Sequence, residues 1–283
     1  MGSKLGAASL SIGVNTVLLI SKIAVAFITG SIGLYAESAH SFFDLVASGL
    51  AYLGIRKAQE PEDRTHHFGH EKFENLSSML QAFLITGTAC VVMFEAYQKF
   101  SEPGNVEFSE AGIVLMLISI PVTYFTSRYL GDIAKKEGSS ALEADSAHFT
   151  TDVVSSAAVL AGLVAVKLGF PQGDPLAAAV VGLVMLYISV ELLLHSFYVF
   201  MDFSPDKATM AKITGVLVAE KRITRFHKLR ARIAGSRILV DVHIHVPHGT
   251  PVEKAHMISH EIESRILRDV PQVKEVSIHI EPD

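Results

Sequence analysis

Apolar residues run in six long stretches along this chain, at 7–29, 33–57, 74–100, 109–131, 142–168 and 175–200. Stretches of about 18–27 residues are long enough to cross a hydrocarbon layer of about 30 Å as helices. Polar and turn-forming residues separate them: Gly30-Ser31, the loop Pro61 to Gly69, Pro103-Gly104-Asn105, Lys135 to Ser140, and Pro171 to Pro175. In the last of these, Asp174 is placed to cap the sixth helix, and Pro175 suits its first turn. From residue 204 the pattern changes. Pro205 to Lys221 and Val252 to Arg268 have helical spacing. Phe226 to Ile233, Ile238 to Val246 and Val273 to Ile280 read as strands, the first two around a turn at Gly235-Ser236. The predicted fold class is an α-helical membrane domain of six transmembrane helices (1–203) plus a small α+β domain (204–283), its helices on one face of a sheet.

Charge sets the orientation. Lys4, Arg56, Lys57, Arg64, Lys72, Arg128, Lys135 and Lys136 fall at loops of one side, and Lys99 and Lys167 at the other. The positive-inside rule then places both termini and the tail in the cytoplasm. Lys22 is a further charge within the first stretch. The first stretch has no clear cleavage site and is read as a retained helix. Of the 283 residues, 49% are hydrophobic and 19% charged, below the roughly 25% charge of soluble domains. A net charge of −5 argues against a nucleic-acid partner. The one cysteine, Cys90, excludes an intrachain disulfide and a zinc-thiolate site, and its apolar setting suggests a buried small residue.

One string of residue types occurs twice. Glu37-Ser38-Ala39-His40, Asp44 and Ser48 return as Asp145-Ser146-Ala147-His148, Asp152 and Ser156. In each copy, His and Asp four apart share one helix face. Ionisable groups are costly in hydrocarbon, so a duplicated pair inside apolar stretches marks a functional site. His40, Asp44, His148 and Asp152 supply two nitrogens and two carboxylates, a set that suits a divalent cation and favours zinc. Small residues around both copies allow the close helix approach such a site needs. With a cytoplasmic N-terminus the second stretch runs inward and the fifth outward. His40 lies about two turns from the outer end of its stretch and His148 about two turns from the inner end of its own.

Two further groups carry ligand chemistry. Asp63, His66 and His70 converge if their loop curls. The tail holds seven of the thirteen histidines. In it, His243 and His245 share a strand face, His256 and His260 a helix face, and His279 and Glu281 a face of the last strand. His248 falls in a turn as a bystander, and His195, near the end of the sixth stretch, is structural or interfacial.

Together these residues resemble the cation diffusion facilitator family of divalent-metal/proton antiporters over nearly the whole chain. The resemblance implies a transport site at His40, Asp44, His148 and Asp152 and a loop site at Asp63, His66 and His70. It implies a metallochaperone-like cytoplasmic domain whose regulatory metal is held near a dimer interface by His243, His256, His279 and Glu281, with His245 and His260 as additions. It also implies a homodimer interlocked through Lys72 and Asp202. Some family members have two aspartates on the second span; His40 in the first of these positions resembles the zinc-selective branch. The expected activity is export of Zn²⁺ in exchange for protons across a prokaryotic cell membrane, with Zn²⁺ also the regulatory ligand. Fe²⁺, Mn²⁺, Cd²⁺ or Co²⁺ as main cargo, or a non-transporting metal sensor, are the alternatives. No His-Glu-x-x-His motif supports a metallohydrolase, so no enzyme activity is expected.

Overall fold

A computed structural model of the chain describes residues 3–29, 32–101, 110–168, 170 and 172–283. The chain divides into two compact units, Met1–Phe197 and Tyr198–Asp283. The turns expected at Gly30-Ser31 and Pro103-Gly104-Asn105 lie outside the described residues. So does the side chain of Asp174, the expected cap of the sixth helix.

Among the described residues six helices build the first unit: α1 (Lys4–Thr29), α2 (Ile32–Ala58), α3 (Lys72–Ser101), α4 (Glu110–Glu137), α5 (Ser140–Lys167) and α6 (Gly173–Phe200). Among the described residues, three spans are long and apolar enough to cross a membrane: Lys4–Ile28, Lys72–Ser101 and Pro175–Phe200. α2 and α5 carry the duplicated polar string. α4 runs six residues past the apolar stretch that predicts it, because its last turns are amphipathic: Leu130 and Ala134 are buried, while Asp132, Lys135 and Lys136 are exposed. It stops at Gly138, whose φ of 62° lets Ser139 N–H reach the carbonyl of Ala134 at 3.0 Å, a helix-terminating turn that glycine permits.

Small side chains set the helix spacing. One core cluster is built on Ala7, Ala8, Ala51, Ala134 and Ala141, and a second on Ala82, Ala89 and Ala144. A Cβ added at Gly54 would collide with Ser77, so α2 and α3 are nearly in backbone contact there. Large apolar side chains point outward instead: Phe27, Ile28, Phe125 and Tyr187 are all exposed, an apolar exterior that a bilayer would cover. Cys90 is exposed on α3, contrary to the buried position its apolar setting suggests; α3 turns this face away from its neighbours. Polar groups sit inside. Lys4 Nζ donates to Glu74 Oε1 at 2.8 Å and Ser139 Oγ donates to Glu74 Oε2 at 2.5 Å, tying the starts of α1, α3 and α5 together around one buried carboxylate.

The second unit contains α7 (Lys207–Ala219), β1 (Arg225–Ala234), β2 (Arg237–Val246), α8 (Val252–Asp269) and β3 (Val273–Pro282). Asp206 caps α7 by accepting the N–H groups of Ala208 and Thr209. The sheet order is β1-β2-β3. β1 and β2 form an antiparallel hairpin around Gly235, φ 63°, and α8 carries the chain across to β3, which runs parallel to β2. Ile238, Val240, Val242 and Ile244 alternate along β2 and pack with Ile213 and Leu217 of α7 and Ile258, Ile262 and Ile266 of α8. The sheet is thus covered on one face, and its other face carries the polar alternates.

Candidate metal centres

The duplicated string comes together inside the first unit. α2 and α5 place Asp44 and His148 side by side: the two atoms Asp44 Oδ1 and His148 Nε2 are 3.1 Å apart, and both residues are buried. His40, one turn before Asp44, brings its Nε2 to 3.7 Å from the same oxygen. Ligand atoms of His40, Asp44 and Asp152 all lie within 4.8 Å of one another. They line a polar cavity of about 60 Å³ together with Lys22 and Ser41. Lys22 Nζ donates to Ser41 Oγ at 2.7 Å, so the charge within the first apolar stretch ends at this cavity. The repeat's serines do separate work. Ser48 Oγ donates to Asp145 Oδ1 at 2.8 Å, and Ser146 Oγ donates to the carbonyl of Ser127 at 2.9 Å, joining α2 to α5 and α5 to α4.

The loop after α2 curls. Asp63 Oδ1 accepts the backbone N–H of Thr65 and of His66, each at 2.7 Å, and the Thr65 hydroxyl at 2.8 Å. The Thr65 hydroxyl, then the Thr65 and His66 amides, hold the Asp63 carboxyl well below the usual carboxylate range. Its other oxygen lies 3.4 Å from His70 Nε2, and His66 Nδ1 lies 3.4 Å from Oδ1. His70 directs Nδ1 at the carbonyl of Pro61, 3.1 Å away, leaving the buried Nε2 without a hydrogen-bond partner and turned toward Asp63 and His66. A carbonyl that fixes one nitrogen of an imidazole and frees the other is the usual second contact of a metal-binding histidine.

On the polar face of the tail sheet, His243 Nδ1 lies 2.8 Å from Glu281 Oε1, and His245 Nε2 lies 3.1 Å from Glu281 Oε2. His227 Nδ1 sits 3.2 Å from His245 Nε2. His227, His243 and Glu281 bring ligand atoms within 4.8 Å of one another. The hydrogen bond with His243 is the main cause holding the Glu281 carboxyl below its ordinary range. Desolvation holds His227 below the ordinary histidine value against the pull of Glu281. Both shifts favour the deprotonated forms a cation would need.

A model of the cation efflux transmembrane domain matches residues 8–201, and one of the cation efflux protein cytoplasmic domain matches residues 205–283. The chain belongs to the cation diffusion facilitator family. It is a cation-efflux transporter, not an enzyme, with a helical transmembrane domain and an α+β cytoplasmic domain. It is similar to the cation-efflux pump FieF of Klebsiella pneumoniae, 29% identical over 94% of this chain and 88% of that one. The FieF of Serratia proteamaculans is 28% identical over 94% and 89%. The metal-bound C-terminal domain of the CzcD transporter from Thermotoga maritima is 25% identical, covering 26% of this chain and 87% of that one, with a TM-score of 0.26.

Not every residue expected in this transporter's sites joins a cluster. His279 is exposed, with its ring 4.6 Å from that of His243 and Nε2 3.7 Å from Glu281 Oε1. His256 and His260 stand on the exposed face of α8, their rings 6.4 Å apart, and His260 faces Glu263 at 3.3 Å. The helix buries Ala255, Ile258 and Ile262 instead, so these histidines point away from the core and lie outside the His227–His243–Glu281 group. His248 is exposed in a turn and His195 is exposed on α6. Asp202 has φ 55° and bonds Arg232 Nη1 at 3.0 Å within the second unit, while Lys72 opens α3 in the first. His227 is the residue that reading the sequence misses. Carried unbroken from the hairpin turn, the β1–β2 register would set His227 opposite Ile244, on the core side. A bulge between His227 and Arg230, with Lys228 at φ 49°, sets it opposite His243 instead.

Proposed function

We propose that this transporter exports Zn²⁺ from the cytoplasm in exchange for protons, using six membrane-spanning helices with both termini in the cytoplasm. The observation that carries the reading is the convergence of His40, Asp44 and Asp152 on one polar cavity between α2 and α5, with His148 set against Asp44 beside it. In the inward-facing state His40, Asp44, His148 and Asp152 take Zn²⁺, which requires neutral imidazoles and so releases protons. In the outward-facing state protons return and the metal leaves. Imidazole, with an unperturbed pKa of about 6.5, is suited to that exchange. Two nitrogens beside two carboxylates favour zinc over harder cations such as manganese. Asp63, His66 and His70 form a second, loop site.

In the tail, His227, His243 and Glu281, with His245 and His279 beside them, bind regulatory zinc. Metal there tightens a homodimer and biases the membrane domains, with Lys72 and Asp202 interlocking the protomers and His256 and His260 facing the dimer surface. The test is metal competition in proteoliposomes with an imposed pH gradient. Zinc should be carried in preference to Fe²⁺, Mn²⁺, Cd²⁺ and Co²⁺, and collapse of the gradient should slow it. Preference for iron or manganese overturns the cargo; flux indifferent to the gradient overturns the exchange.

A further inference from the structure

A buried carboxylate lies just outside the four-residue site. Asp145, on α5 one turn before His148, has no exposed surface. Its Oδ1 accepts from Ser48 Oγ. Ser48 in turn is bonded to Ser11 Oγ at 2.6 Å and accepts from Asn15 Nδ2 at 2.8 Å, so α1 and α2 together fix this oxygen. The other oxygen, Oδ2, is buried with no hydrogen-bond partner. Among the described residues the carboxylate is served by the Ser11 and Ser48 hydroxyls alone; two neutral hydroxyls do not offset the burial of a carboxylate, so an orphaned oxygen here calls for a partner. The same shortage occurs on His148: Nε2 faces Asp44, while Nδ1 is buried and unpartnered. Side chains three apart on a helix share a face, with Cβ atoms about 5–6 Å apart. An orphaned acceptor and an orphaned ring nitrogen therefore stand on adjacent turns.

We propose that Asp145 is the positioning residue of His148: with a cation on Nε2, the imidazole donates Nδ1–H to Asp145 Oδ2. The contact fixes the tautomer and orients the ring, as carboxylates do for metal-binding histidines generally. His70 has the same division of labour in this chain, with the Pro61 carbonyl in the carboxylate's place. α2 and α5 thus form two rungs: Asp44 with His148 at the cation, and Ser48 with Asp145 behind it. The inference rests on the proposed transport site.

The test uses purified full-length protein. His66, His70 and the tail histidines are separated from the signal by working in a His70→Ala/His227→Ala background, and His148 is assigned by its loss in His148→Ala. In the zinc-loaded chain, ¹⁵N-histidine spectra should show His148 protonated at Nδ1, with a downfield, slowly exchanging proton. Zinc on Nδ1, or a rapidly exchanging proton, overturns the proposal without any Asp145 variant being made. Asp145→Ala should lose that signal and weaken zinc binding about 10- to 100-fold. Asp145→Asn keeps an acceptor oxygen and should retain the signal with a smaller loss. A residue that merely pins α5 to α2 would change thermal stability and leave the tautomer signal and affinity in place; that result sinks the proposal. Zinc binding undiminished by His148→Ala would instead sink the transport-site reading.

Discussion

Glu74 offers a sharp test of how the first unit is held together. Its side chain is 3% exposed and takes Lys4 on one oxygen and Ser139 on the other. In Glu74→Gln the shape and the Ser139 contact are kept, but the ammonium of Lys4 loses its buried carboxylate. Removing one member of a buried pair costs about 3–5 kcal/mol. Lys4 keeps 13% exposure and some access to water, which places the loss near the lower end, about 3 kcal/mol. For a unit of this size that corresponds to about 6–12 °C in melting temperature. Lys4→Met in the same chain removes the ammonium whose carboxylate is gone. The double variant should then melt above Glu74→Gln alone, with a coupling energy above about 1 kcal/mol. Thermal unfolding in detergent, followed by circular dichroism, measures all four chains. A Glu74→Gln protein that melts with the wild type, or a double variant that merely sums the singles, refutes the reasoning.

Glu220 in the tail makes a pH-dependent prediction. Hydrogen bonds from Arg222 are the main cause lowering its carboxyl to about 2. A depressed carboxylate stabilises the fold above its unfolded value, and that stability is lost as pH falls toward the folded one. The stability gap between wild type and Glu220→Gln should be full above about pH 5 and close between pH 4.5 and about 2 in acid titrations. Asp63→Ala removes the acceptor of two loop amides and should cost one equivalent of bound zinc by equilibrium dialysis, with His243-dependent binding unchanged. His227→Ala should likewise remove tail zinc. In the wild type that binding should weaken only as pH falls below the ordinary imidazole value of about 6.5, because desolvation holds His227 under it.

The membrane unit and its main polar site are legible in the sequence because helical periodicity is local. His40 and Asp44 share a face whatever surrounds them, and so do His148 and Asp152. The loop was harder to read, since Asp63 gathers its amides through a curl that no repeat announces. Tertiary information was hidden where a single residue shifts a register: the bulge after His227 moves it to the face that carries His243 and Glu281, and no alternation pattern predicts it. Helix faces were hidden for a different reason. His256 and His260 share a face as their spacing says, but only packing decides that this face is the exposed one. Glu74 carries no motif, and Asp145 opens the second copy of the repeat without its role being written there; burial makes both matter.

The central claim is that two His–Asp pairs, one from each copy of the repeat, form the transport site. The most direct measurement is zinc-driven proton movement in proteoliposomes containing wild type or His148→Ala at equal protein density. The account predicts a folded, membrane-inserted variant with no zinc-dependent proton flux and no zinc uptake. Undiminished exchange by His148→Ala would contradict it.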